Sequence, residues 1–414
     1  MSPTAARPYN GAMQSPARHT GALVPWACAT IVFLVSLGVV AGSPGDGVWT
    51  VDCGSKELQA RRLVDTGYRA FDLGYTARAL DPSGRWFPVP SPYALRRGDR
   101  YFAQYPVAYA AVAAPFFAVF GPVGLRVPAA LGLAACAALI AAWVAPALGR
   151  RWSLAAGLGV PLATPLVFYG VTIWEHSLTV ALALGAQLLA ARAGRGRLAA
   201  AGFLIGCATW FREELFLMGL ALAAALLATR RRPAELLWLA LGALPAALGL
   251  LAFNALVLGH PLGSHILGNV GAVHSPSFGE ALRDVGAIIA GYGTVPAEGA
   301  VFVLVVVVCL VAGWQTGRSG RALGSVVAGI AAVSLLAWLL ATVRLANASH
   351  PVLELARTNG FALRMPVVAL AGAGAARVFA RSELSPLRFG MAVGLFFLAF
   401  GLPFRVLWTD FLAG

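Results

Sequence analysis

The sequence predicts an all-α fold, a polytopic bundle of transmembrane helices with a large first extracytoplasmic loop. Three observations predict it. Of 414 residues, 59% are hydrophobic and only 12% charged, whereas soluble globular chains are typically about 45–50% apolar and about 25% charged. Mean hydropathy is +0.76, and apolar runs long enough to span a bilayer recur along the chain. The third observation is that short arginine clusters separate those runs. Arg150-Arg151, Arg192 to Arg197, Arg230 to Arg232, Arg318, Arg321, Arg377, Arg381 and Arg388 have almost no acids beside them. That is the signature of cytoplasmic loops, with membrane lipids and their anionic headgroups as partners. The formal charge of +14 therefore does not point to nucleic acid, because the arginines are spread between apolar runs.

Residues 1–20 read as a polar cytoplasmic tail and 21–42 as the first transmembrane helix, a signal anchor with few cleavage cues. Residues 43–122 form the first extracytoplasmic loop. Its stretch from Ser43 to Arg100 holds seven of the chain's 17 acids and its single lysine, Lys56. A short helix is expected over Lys56 to Val64 with Ser55 as its cap. Trp86-Phe-Pro-Val-Pro-Ser-Pro92 reads as turn. The segment Tyr101 to Gly121 either crosses or lies along the outer interface. The interfacial reading is favoured, because it is short between Pro106 and Pro115 and carries tyrosines at its start.

Residues 123–257 then hold six spans, near 123–148, 152–170, 176–193, 198–210, 213–229 and 235–257. An outer loop over 258–298 follows, and 299–414 hold four more, near 299–314, 323–343, 361–376 and 389–407. The total is about eleven, within a range of about nine to thirteen, with an outward C-terminus. The five cysteines have no ligand spacing and suggest neither a metal site nor a disulfide framework.

Charges at membrane depth are costly and mark function or a structural pair. Four places qualify: Asp52 with Lys56 at i and i+4, Glu175-His176, Arg212-Glu213-Glu214, and Arg357 with Arg364. Under the interfacial reading all four fall at the outer face. Each has a plainer alternative: a solvated loop acid for Asp52, a helix-end pair for Glu175-His176, a structural ion pair for Arg212. The chain has no Gly-rich phosphate loop, Gly-x-Ser-x-Gly elbow, Cys-x-x-Cys or His-Glu-x-x-His. Outer carboxylates beside Lys and Arg suit one task well: a carboxylate deprotonates an acceptor while cations stabilise a departing phosphate.

Several segments resemble the GT-C superfamily of membrane glycosyltransferases, which includes protein O-mannosyltransferases and lipid A aminoarabinose transferases. Asp52-Cys-Gly-Ser-Lys56-Glu-Leu-Gln59 resembles the segment bearing that family's catalytic aspartate. Gln104-Tyr-Pro-Val-Ala-Tyr109 resembles its Tyr-Pro-Pro or Lys-Pro-Pro motif. Gly121-Pro-Val-Gly-Leu-Arg-Val-Pro-Ala-Ala-Leu131, Leu204 to Glu213, Asn254 to Leu262 and Gly360-Phe-Ala-Leu-Arg364 resemble later segments. Glu175 falls where the family has a second acid. Departures are Glu for Asp at 175, Val after Pro106, and Gln104 in place of a phosphate-binding lysine.

The resemblance implies an inverting glycosyltransferase of a bacterial-type inner or plasma membrane, with its active site facing outside. Its donor would be a polyprenyl-phosphate sugar and its acceptor an envelope glycan, lipid or protein. Asp52 and Glu175 would be catalytic, Asp52 as the base and Glu175 orienting the acceptor or holding a divalent cation. No other cofactor is implied. Lys56, Tyr105, His176, Arg212 and Arg364 would bind donor phosphate or substrate. The rival readings are a transporter or flippase of lipid-linked sugars and a non-catalytic scaffold.

Overall fold

The computed structural model describes residues 23–263, apart from 44–47, 49, 91–92, 193 and 231, and a few positions between 387 and 397. These residues are predominantly helical. Among them three helical runs are long and apolar enough to cross a membrane: Leu23–Ala41, Ala108–Leu162 and Ala234–Leu258. The expected spans at 299–314, 323–343 and 361–376, most of that at 389–407, and nearly all of the 258–298 loop lie outside the described residues.

Helix α1 (Leu23–Ala41) leads into α2 (Val51–Asp65). The sequence places the start of α2 at Lys56 with Ser55 capping, and the structure corrects this. Thr50 is the cap, its Oγ1 accepting from the Cys53 amide at 3.3 Å, while the Ser55 hydroxyl donates to the Asp52 carbonyl. Asp52 thereby enters the first helical turn, where the positive end of the helix dipole favours a carboxylate. Between α2 and α3 lies a two-stranded antiparallel hairpin, β1 (Ala94–Arg97) and β2 (Arg100–Ala103), with Leu95 opposite Phe102. The sequence reading had no strands here.

Helix α3 (Ala108–Phe120) has 13 residues. At 1.5 Å per residue it covers about 20 Å, short of a hydrocarbon core about 30 Å thick. Gly121, at φ 63°, ends it before a 3-10 turn, Gly121–Arg126. Helix α4 (Val127–Leu162) reverses at Gly149 (φ 79°, ψ 178°). The Ser153 hydroxyl donates to the Ala141 carbonyl at 2.8 Å, so the two halves pack back to back as a helical hairpin. The sequence predicts two separate helices near 123–148 and 152–170. The turn between them falls where expected, but the second half stops at Leu162 and the helix breaks before the short helix Leu166–Val171.

A short α5 (Leu166–Val171) precedes α6 (His176–Ala191), α7 (Arg195–Thr209), α8 (Phe216–Arg230) and α9 (Ala234–Phe253). Helices α6, α7 and α8 share a core around Ala186, Leu198, Ile205, Leu222 and Leu226, to which Phe389 and Val393 add. Helix α9 closes on α7 through glycines. A Cβ on Gly202 would lie 1.9 Å from the Leu239 carbonyl oxygen, and one on Gly242 1.9 Å from that of Ala199. Such backbone contact is how helices associate where lipid leaves no hydrophobic drive between them.

The chain turns put two kinds of residue at opposite ends of these helices. Arg150-Arg151, Arg192, Arg195, Arg197 and Arg230 sit at one set of ends. Arg126, Glu175, Arg212 and Asn254 sit at the other. Helix α2 and the hairpin belong to this second end.

Candidate active site

Four separate segments meet at the end opposite the arginine turns. Helix α2 supplies Asp52 and Lys56, one turn apart on one face. The turn from β2 into α3 supplies Tyr105. The link from α5 to α6 supplies Glu175 and His176, and the link from α7 to α8 supplies Arg212. Of the seven residues singled out from sequence, these six lie together. Arg364 is outside the described residues.

At the centre is a buried ion pair. Lys56 Nζ lies 2.7 Å from Glu175 Oε2, and both side chains are 2% exposed. The other carboxylate oxygen, Oε1, accepts from Arg212 Nη1 at 3.1 Å. Burial by itself pushes the Glu175 carboxyl up. The Lys56 ammonium and the Arg212 guanidinium together outweigh it and hold the group at about 2, from an ordinary 4.5. Arg212 also pairs with Glu214 and reaches His176 Nε2 at 3.3 Å. A guanidinium only donates, so Nε2 accepts and the ring proton sits on Nδ1. Tyr169 stacks on the His176 ring with centroids 4.1 Å apart and planes 13° from parallel.

Asp52 differs from Glu175 in being half-buried. Burial is the main cause that raises its carboxyl above the ordinary range, opposed by the Lys56 charge and a hydrogen bond from the Tyr105 hydroxyl. In return, burial and the Asp52 charge raise the Tyr105 phenol well beyond its usual value, so it stays a donor. Lys56 Nζ also lies 4.9 Å from the centre of the Tyr105 ring and 5.9 Å from that of Tyr109, which adds cation–π attraction.

The cluster thus has a buried floor of Lys56, Glu175 and Tyr109 and a more accessible rim. The rim holds Asp52, Tyr105 and Arg212, whose side chain is 21% exposed. Beside Tyr105 a narrow cavity of about 20 Å³ is lined in part by Gln59, Glu213, Trp210 and Asn254, about the space of one water. Among the described residues no group of three or more His, Cys, Asp or Glu is placed to hold a metal ion. Both Glu175 oxygens already face cationic side chains, so Glu175 does not fit the divalent-cation role considered from sequence.

Three further residues, none a site candidate from sequence, complete the site. Tyr109 anchors the floor by donating to the Leu125 carbonyl at 2.7 Å. Tyr169 supports His176, and the buried Arg126, 1% exposed, acts electrostatically on Tyr109. The signal for Arg126 is in the chain, an arginine inside an apolar stretch between Pro122 and Pro128. No family model, curated protein or solved structure matches the chain.

Proposed function

We propose that the protein is a membrane glycosyltransferase of GT-C type, transferring a sugar from a polyprenyl-phosphate donor to an acceptor hydroxyl at the outer face of the membrane. The observation that carries this reading is the division of labour between two carboxylates in one cluster. Asp52 is half-accessible with a raised pKa, as a general base requires. Glu175 is buried and locked between two cations. A rim guanidinium beside Asp52 suits a lipid-borne phosphate at headgroup depth.

In this mechanism the acceptor oxygen attacks the anomeric carbon while Asp52 takes its proton. The bond from that carbon to the phosphate oxygen breaks, and the polyprenyl phosphate leaves with the electron pair. Configuration inverts. Arg212 stabilises the charge developing on the leaving phosphate, and Tyr105 holds the Asp52 carboxylate. Lys56, named from sequence as a phosphate ligand, is 2% exposed beneath the rim with its ammonium on Glu175, so both act as positioning residues, whereas Arg212 reaches the rim. Arg364 remains the second phosphate ligand expected from sequence. Consistent with an outward site, the cluster lies at the helix ends away from the arginine turns, which the positive-inside rule assigns to the cytoplasm. In this reading the helices belong to a bundle of about eleven spans.

The test is transfer by the purified protein from a panel of polyprenyl-phosphate sugars, comparing the wild type with Asp52→Asn and Glu175→Gln. Loss of about 10²–10⁴-fold in Asp52→Asn is the expected general-base contribution. Transfer retained by Asp52→Asn removes it as the base.

A further inference from the structure

A second concave surface lies on the other side of α2. Leu58, Arg61, Arg62 and Asp65 line it, and the helical repeat turns them away from Asp52, Lys56 and Gln59. Its volume is about 790 Å³, within the range of small-ligand clefts, about 300–1,000 Å³. Tyr75, Trp86 and Tyr101 line the opposite wall, and Phe87 packs with them to make a block of rings. Phe87 and Tyr101 stack at 3.8 Å with planes 6° apart, and Tyr75 meets both edge-on at 5.3 and 5.9 Å.

Gly84 makes this block fit. It sits at φ +72°, and a Cβ there would lie 1.6 Å from the Tyr101 hydroxyl oxygen. Asp81 ties the loop down, accepting from the Ser83 hydroxyl at 2.6 Å, the Trp86 amide at 2.7 Å and the Tyr75 hydroxyl at 2.9 Å. The loop is fixed, yet the Trp86 indole at the groove is 74% exposed.

We infer that this groove binds a neutral saccharide chain, as a site separate from the Asp52 cluster. Three features select that ligand. The exposed indole, with the Arg85 guanidinium 5.4 Å from its ring centre, offers its remaining π face to the C–H face of a sugar ring. The charges nearly balance: Arg62 pairs with Asp72, Arg78 with Asp99 and Arg61 with Glu57, and the other two in the lining, Asp65 and Arg100, are opposite in sign. Paired charges leave little net field for a polyanion but present fixed donors and acceptors for adjacent hydroxyls. Seven charged side chains in the lining keep the groove in water and make it a costly place for a lipid tail. The groove does not depend on the transfer reaction and holds saccharide without any donor present.

Saturation-transfer NMR on the full-length protein in lipid nanodiscs tests this, with cellotetraose, maltotetraose and mannotetraose as probes and tetragalacturonate as the anionic control. At least one neutral tetrasaccharide should receive saturation. Trp86→Ala should weaken that binding by about tenfold or more. Trp86→Phe should retain it, which shows that the loop still folds, and Asp52→Asn should leave it unchanged. Absence of saturation in all three neutral probes overturns the inference. So does binding that survives Trp86→Ala, or binding of tetragalacturonate alone.

Discussion

Removing Glu175 should loosen α2 by a predictable amount. In Glu175→Gln the Lys56 ammonium, 2% exposed and 2.7 Å from the lost charge, stays buried without its counterion. Breaking one partner of a buried pair typically costs about 3–5 kcal/mol. Arg212 suffers less, being more exposed and still paired with Glu214. Cys53 reports the event directly. It is 1% exposed in the first turn of α2, so a thiol reagent reaches it only when the helix opens. With the other four cysteines replaced by alanine, labelling of Cys53 in nanodiscs measures the open population when reclosing outpaces reaction. A cost of about 3–5 kcal/mol raises that rate by about 10²–10³-fold or more, at about 1.4 kcal/mol per decade. The double variant Lys56→Met with Glu175→Met removes both charges and should label close to the wild-type rate. The carboxyl held at about 2 instead of 4.5 adds a pH signature. Its contribution is complete above the ordinary value and is lost as pH falls towards 2, and Glu175→Gln should flatten that acid dependence. A labelling rate within about threefold of wild type in Glu175→Gln would mean that the pair does not hold α2, and would refute the reasoning.

Tyr105→Phe removes a hydrogen bond that favours the charged form of Asp52. The Asp52 pKa then rises, and the acid limb of the transfer rate moves to higher pH by about one unit or more, given about 1.5–3 kcal/mol for a bond to a charged group. An unmoved limb excludes Asp52 as the group titrating there. Gly242→Ala places a methyl against the Ala199 carbonyl and should cost about 1–3 kcal/mol as overpacking, read as a lower thermal unfolding midpoint. Gly84→Ala strains a left-handed backbone and collides with Tyr101. It should abolish saccharide binding in the outer groove while leaving Cys53 labelling unchanged.

Much of this architecture was legible in the chain because its signals are local. Apolar runs and arginine turns located α6, α7, α8 and α9 within a few residues, since a membrane span is specified by composition and length. The i, i+4 spacing of Asp52 and Lys56 put them on one helical face wherever the helix began. The cap was misplaced because both Thr50 and Ser55 suit an N-terminus, and only the packed structure chose between them. The β1–β2 hairpin was invisible because two four-residue strands, Ala-Leu-Arg-Arg and Arg-Tyr-Phe-Ala, are too short to show an alternating apolar pattern.

The sequence by itself determined which residues are costly enough at membrane depth to need a partner or a function: a lone lysine, an acid between apolar runs, an arginine at a helix end. Their pairing was decided only by the tertiary structure. Lys56 and Glu175 are far apart in the chain, and the choice of partner, the burial and the resulting pKa values depend on how α2 seats against the α5–α6 link. Charge interactions follow distance and desolvation in space, so Lys56, Glu175, Asp52, Tyr105 and Arg212 could be named from the chain but not sorted into a locked floor and an accessible rim.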